Sequence, residues 1–136
     1  MAASARIVVE SHSDVGSARQ KGRVVAESLG FGHADLSRIA TAISEIARNI
    51  VEHAKRGEVH ICEINKAGKV GIQIVAEDHG PGIASVEAAM QDGYTTKRSS
   101  LGIGLPSAQR LMDEFEVHSE IGKGTTVVMT KWLRAR

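Results

Sequence analysis

Three short stretches of this 136-residue sequence hold residue types that could handle a polyanion or a polar ring. In SEIARNIVEHA, Glu45 and Asn49 stand four residues apart, which on a helix stacks a carboxylate and an amide on one side. In IVAEDHGPGI, an apolar run ends at Glu77 and Asp78, and Gly80, Pro81 and Gly82 follow. A carboxylate at a strand end can accept from a ring amine, and glycines let backbone come close to a ligand. In SLGIGLPSAQRL, Gly102 and Gly104 precede a helical pattern, and the free N–H groups of a helix start bind phosphate. Each stretch also has a plainer use: a solvated helix face, a turn, a helix cap. The third fits neither common glycine motif. A P-loop needs Lys-Ser/Thr after its glycines, and the dinucleotide fingerprint needs a preceding strand and a third glycine where Ser107 stands.

Residues so far apart need a fold to bring them together. ARIVVES (5–11) is rich in β-branched residues and reads as a first strand. Ser13 or Asp14 caps a helix that runs to about Leu29, where the glycines of ESLGFGH stop it. A second helix runs from an Asp35 cap to Lys55, with Leu36, Ile39, Ile43, Ile46, Ile50 and Ala54 in one apolar stripe. Glu45 and Asn49 lie on the flank of that stripe, while Arg48 and Glu52 point further from it. RGEVHICEIN and KVGIQIVAED form a hairpin through KAGK. SVEAAMQ reads as a short helix, DGYTTKRSS as a polar loop, and LGIGLPSAQRLMDEF as a helix with Pro106 in its first turn. FEVHSEI and GTTVVMTKWL make a last hairpin turning on Gly122, Lys123 and Gly124. The order β-α-α-β-β-(α)-α-β-β predicts an α+β fold. It is a two-layer α/β sandwich, a mixed and mainly antiparallel sheet covered on one face by helices.

The composition, 42% hydrophobic and 24% charged, is that of a soluble globular protein, and the length suits one domain, 1–136. A net charge of +1, no long basic run, and one Trp, one Tyr and two Phe leave no nucleic-acid footprint. Cys62, the single cysteine, cannot form an intramolecular disulfide, and the six His lack metal-ligand spacing. The start MAASARIVVESHSD is too weak for a signal peptide, and no stretch approaches the roughly 20 apolar residues of a membrane span. A cytoplasmic protein without nucleic-acid or membrane partners is expected.

Taken together, four motifs in this order resemble the GHKL (Bergerat) ATP-binding family over essentially the whole chain. They are Glu-x-x-x-Asn on a helix, Asp-x-Gly-x-Gly after a strand, Gly-x-Gly-Leu before a helix, and Gly-Thr-Thr in a last strand. That family includes gyrase-type ATPases, Hsp90-type chaperones, sensor histidine kinases and small protein serine kinases. The resemblance implies ATP and Mg²⁺ as cofactors. It implies that Asn49 binds the Mg²⁺ bridging the phosphates and that Glu45 is general base toward the attacking hydroxyl. By the same likeness Asp78 accepts from the adenine amine, and Gly80 and Gly82 admit the base. Gly102 and Gly104 contact phosphates, Leu105 anchors the far end of the lid, and Thr125 reaches the adenine side alongside a water. Lys97 and Arg98 are read as solvated lid residues.

The short lid between Ile83 and Leu101, the length, and a start directly on a first strand point away from chaperones, gyrases and histidine kinases. GIGLPSAQRLMDEF, EDHGPGI, DGYTTK and KWLR resemble the switch kinases of bacterial stress-signalling (stressosome) modules. That likeness implies a protein serine/threonine kinase whose substrates are STAS-domain scaffold and antagonist proteins. Once released, it would activate a PP2C-type phosphatase. The alternative is an anti-sigma factor that sequesters a sigma subunit. Ser100 and Ser107 stand where such kinases often carry glycine, which implies a stiffer lid.

Overall fold

The computed structural model describes residues 4–82 and 104–134. Their elements are β1 (Ser4–Val9), α1 (His12–Leu29), α2 (His33–Asn49), a π-helical turn (Ile50–Ala54), β2 (Gly57–Lys66), β3 (Lys69–Asp78), α3 (Gly104–Leu111), β4 (Glu114–Glu120) and β5 (Gly124–Trp132). The helix expected in SVEAAMQ and the polar lid loop lie outside the described residues. The described strands form one sheet in the order β1-β2-β3-β5-β4, and every pairing is antiparallel. No parallel pair arises because β5, not β4, docks on β3. Strands β3 and β4 run the same way without being neighbours.

Alternation along the strands sorts the sheet into two faces. Ile7, Val59, Ile61, Ile74, Val127 and Met129 are buried on the helical side. α2 lays the predicted stripe onto them, with Leu36, Ile39, Ile43, Ile46 and Ile50 all buried. α1 crosses α2 at Gly22, so closely that a Cβ there would overlap Cδ1 of Ile43.

The helix boundaries differ from the expected ones, and hydrogen bonds say why. Ser11 is the N-cap of α1, and Asp14 sits inside the first turn. The Asp14 Oδ2 accepts the backbone N–H groups of Glu10 at 2.9 Å and Ser11 at 3.1 Å. The Glu10 bond, above all, holds the Asp14 carboxyl below its ordinary range. At the other end Gly30 is left-handed, and the N–H groups of Gly30 and Phe31 close on the carbonyls of Glu27 and Ala26 at 3.0 and 3.2 Å. α2 starts after Gly32, so Asp35 lies within the helix and pairs with Arg38 at 2.8 Å. α3 ends at Leu111, and Phe115 sits in β4 opposite Met129.

Lys131 of β5 fixes the end of α3. Its buried ammonium donates to the Leu111 carbonyl at 2.9 Å and faces Asp113 and Asp35 at 3.7 and 3.8 Å. A buried charge is tolerated only when so partnered. The result ties the end of α3 to the start of α2.

On the open face Arg6 of β1 grips Glu58 of β2 through Nε at 3.0 Å and Nη2 at 2.6 Å, and His60 adds a contact at 3.0 Å. The Arg6 bonds, then His60, hold the Glu58 carboxyl at about 2 against an ordinary 4.5. Its folded value is depressed, so the stabilisation is full above the ordinary value and is lost as pH falls toward the folded one. The stability advantage of wild type over Glu58→Gln in urea melts should therefore be present at about pH 5 and shrink steadily toward about pH 2.

The helix crossing makes a second prediction. Gly22→Ala gains helix propensity but overpacks the crossing, a cost of about 1–3 kcal/mol. Ile43→Val alone costs about 0.5–1.5 kcal/mol. The double variant should be more stable than the sum of the two, because Ile43→Val removes the atom the new methyl meets. A strictly additive cycle in denaturant melts would show that the crossing relaxes instead.

Candidate active site

The site begins where β3 ends. Asp78, the last residue of β3, stands in register with Thr125 of β5. Its Oδ1 accepts the N–H of Gly80 at 2.9 Å and the N–H of Thr125 at 3.2 Å. Both protein donors fall on Oδ1, and among the described residues none falls on Oδ2. A carboxylate has acceptor capacity on both oxygens, so one oxygen is left to meet a ligand.

The two glycines of the turn have a use inside the protein itself. Gly80 packs on the π turn, where an added Cβ would lie 2.6 Å from the Ala54 Cβ. Gly82 has φ 81° and lies against the Glu120 carbonyl, a place no side chain could share. They clamp the Asp78 loop between the helix end and the β4–β5 hairpin. Sequence reasoning linked both glycines to the ligand and gave no hint of these contacts.

A cleft of about 470 Å³, counted to its open mouth, separates α2 and the π turn from the end of the sheet. Ile46, Ile50, Ala76, Leu105 and Val127 form its apolar walls. Asn49, His53, Asp78 and Thr125 supply its polar atoms, with Pro81 and Gly82 at the loop. Apolar faces with a free carboxylate oxygen at one end suit a flat ring that carries an amine.

The structure thus gathers Asn49, Asp78, Gly82, Leu105 and Thr125 into one cleft. Glu45 stands one turn before Asn49, half-buried and outside the lining, and pairs with Arg48 at 3.2 Å. Arg48 is exposed, as its place further from the stripe implies, and its guanidinium pairs with the carboxylate expected to act as base. Gly104 opens α3, and Ser107 is half-buried within it. Gly102, Lys97, Arg98 and Ser100 lie outside the described residues. His53 was missed, although its signal was present: it follows Asn49 by four, as Asn49 follows Glu45.

Among the described residues no group of three or more His, Cys, Asp or Glu is placed to hold a metal ion. None of the described helices is long and apolar enough to cross a membrane.

The model of the histidine kinase-like ATPase domain matches residues 9–131. The chain belongs to that family. The ATPase domain is 50% identical over 121 residues to the serine/threonine-protein kinase RsbT of Bacillus subtilis, covering 89% of this chain and 90% of RsbT. It is 38% identical over 104 residues to an anti-sigma F factor of Caldanaerobacter subterraneus subsp. tengcongensis, covering 73% and 71%. In fold the ATPase domain is similar to the RsbU and RsbW domains of Rv1364c from Mycobacterium tuberculosis, with TM-score 0.63 and 24% identity. That likeness covers 98% of this chain and 34% of the solved one, so the domain spans about a third of it. Membership of an ATPase family implies the use of ATP.

Asp78→Asn tests the cleft. The amide keeps one acceptor oxygen for Gly80 and Thr125 but presents a donor where Oδ2 stood. We expect native circular dichroism and ATP binding weaker by roughly 100-fold, the worth of a charge-assisted hydrogen bond of up to about 3 kcal/mol. Calorimetric titration checks it, and unchanged affinity in a folded variant would remove Asp78 from base recognition.

Proposed function

We propose that this protein kinase transfers the γ-phosphate of ATP to a serine or threonine of STAS-domain scaffold or antagonist proteins in a bacterial partner-switching stress module. Once released from those partners, it activates a PP2C-type phosphatase. One observation carries the reading: Asp78, Thr125 and Asn49 meet in one cleft of a chain 50% identical to a named serine/threonine-protein kinase. Asp78 accepts from the adenine amine, and the apolar walls take the faces of the ring. The Asn49 amide oxygen would hold Mg²⁺ carried in on the phosphates, and that ion supplies charge neutralisation on the transferring group. Glu45 accepts the proton of the attacking hydroxyl, with Arg48 keeping the carboxylate in place. Gly102 and Gly104 offer backbone N–H groups to the phosphates.

The anti-sigma F factors at 33–38% identity favour a second reading, sequestration of a sigma subunit. Co-precipitation against a sigma factor, a STAS protein and a PP2C phosphatase separates the two.

The deciding experiment is intact-protein mass spectrometry of STAS-domain proteins incubated with this kinase and Mg-ATP. One added phosphate is expected with wild type and none with Asn49→Ala. Glu45→Ala should still bind Mg-ATP while transfer falls by about 10²–10⁴-fold. Normal transfer by Glu45→Ala would sink the general-base role, and bound ATP without transfer by wild type would favour the sequestering reading.

A further inference from the structure

Beside the cleft and outside its lining, Ser119 of β4 faces Thr125 of β5 in register, as Asp78 of β3 does from the other side. Both residues are half-buried. Their hydroxyl oxygens are 2.8 Å apart, and the Ser119 Oγ also lies 3.1 Å from the carbonyl oxygen of Gly124. A carbonyl only accepts, so the Ser119 proton belongs to that bond. The 2.8 Å contact then needs its proton from Thr125. Only one arrangement makes both bonds: Thr125 O–H donates to Ser119, and Ser119 O–H donates to Gly124. Such a chain strengthens itself, since each hydroxyl that donates becomes a better acceptor.

From this we propose that Ser119 is a positioning residue for base recognition: it withdraws the Thr125 hydroxyl proton from the cleft and leaves lone pairs facing the ligand. The inference rests on the nucleotide reading of the cleft. Thr125 is held at its other end too, since its N–H is bound to Asp78 Oδ1 at 3.2 Å. The base end of the cleft therefore shows acceptors on both sides, Asp78 Oδ2 and Thr125 Oγ1. A ring edge with an amine, or a water donating to both, satisfies them. A ring with a carbonyl at the same place sets lone pairs against lone pairs, and a buried acceptor left without a donor is costly. Ser119 thus selects a 6-amino over a 6-oxo purine without touching either.

The test compares ATP with inosine triphosphate, which differs at that one edge. Affinities for both are measured by calorimetry on wild type, Ser119→Ala and Ser119→Thr. In Ser119→Ala the Thr125 hydroxyl is free to turn its proton into the cleft. ATP should bind a few-fold more weakly, inosine triphosphate no more weakly, and the preference for ATP should fall by about tenfold, the worth of one hydrogen bond. Ser119→Thr retains the hydroxyl and should restore the preference. A purely structural role would weaken both nucleotides alike, and an unchanged ratio in a folded Ser119→Ala overturns the proposal. Wild type that binds neither nucleotide would overturn the reading of the cleft as well, so the two failures are told apart.

Discussion

One carboxylate oxygen joins two parts of the chain 47 residues apart, and the geometry of the cleft hangs on it. Asp78 Oδ1 accepts from its own turn and from the first residues of β5, so the loop after β3 cannot drift from the strand beside it. The sheet order makes this meeting available. With β5 seated between β3 and β4, Asp78 and Thr125 become cross-strand partners, and Ser119 becomes the next residue outward. Were β4 to dock on β3 instead, the carboxylate would face another residue. Binding and topology are therefore set by the same contact.

A second constraint comes from α2, which serves the core and the cleft at once. Ile46 and Ile50 are almost fully buried, yet they also wall the cleft. Asn49 lies between them, so its position depends on how the stripe seats on the sheet. The π turn then widens the last turn of the helix and sets Ala54 against Gly80, which joins the helix end to the Asp78 loop. π turns are often found at functional sites because an extra residue re-aims the side chains around it. Here the turn brings His53 into the lining.

Much of this was legible in the sequence, and what was not has a common cause. Helices, hairpins and their order follow from local periodicity and turn residues, and Ala67-Gly68 illustrates the point. Both have positive φ, as a two-residue hairpin turn requires, and KAGK marks the place. The four motifs were legible for the same reason, since each is a run of a few residues. The rest depends on pairings between distant segments. Nothing local in LGIGLPSAQRLMDEF says that Phe115 pairs with Met129 and so ends the helix early. Nothing near Gly80 or Gly82 says that Ala54 and Glu120 press against them. The Ser11 cap was missed for a smaller reason: SHSD offers three capping residues in four positions, and only the Asp14 bonds choose among them.

The cleft explains what the domain binds better than whom it serves. The chain is similar both to a relative named as a kinase and to others named as anti-sigma factors, so the likeness of the domain does not by itself separate the two outputs. The base end and the flank of α2 divide the labour inside the site. Asp78, Thr125 and Ser119 form one hydrogen-bonded unit tied into the sheet. Glu45 and Arg48 pair on the flank of α2, outside the cleft's lining. What distinguishes a kinase that releases its substrate from a subunit that holds its partner must lie outside both. It lies in surfaces that meet another protein, and there the greater identity to RsbT, over more of the chain, weighs toward the kinase.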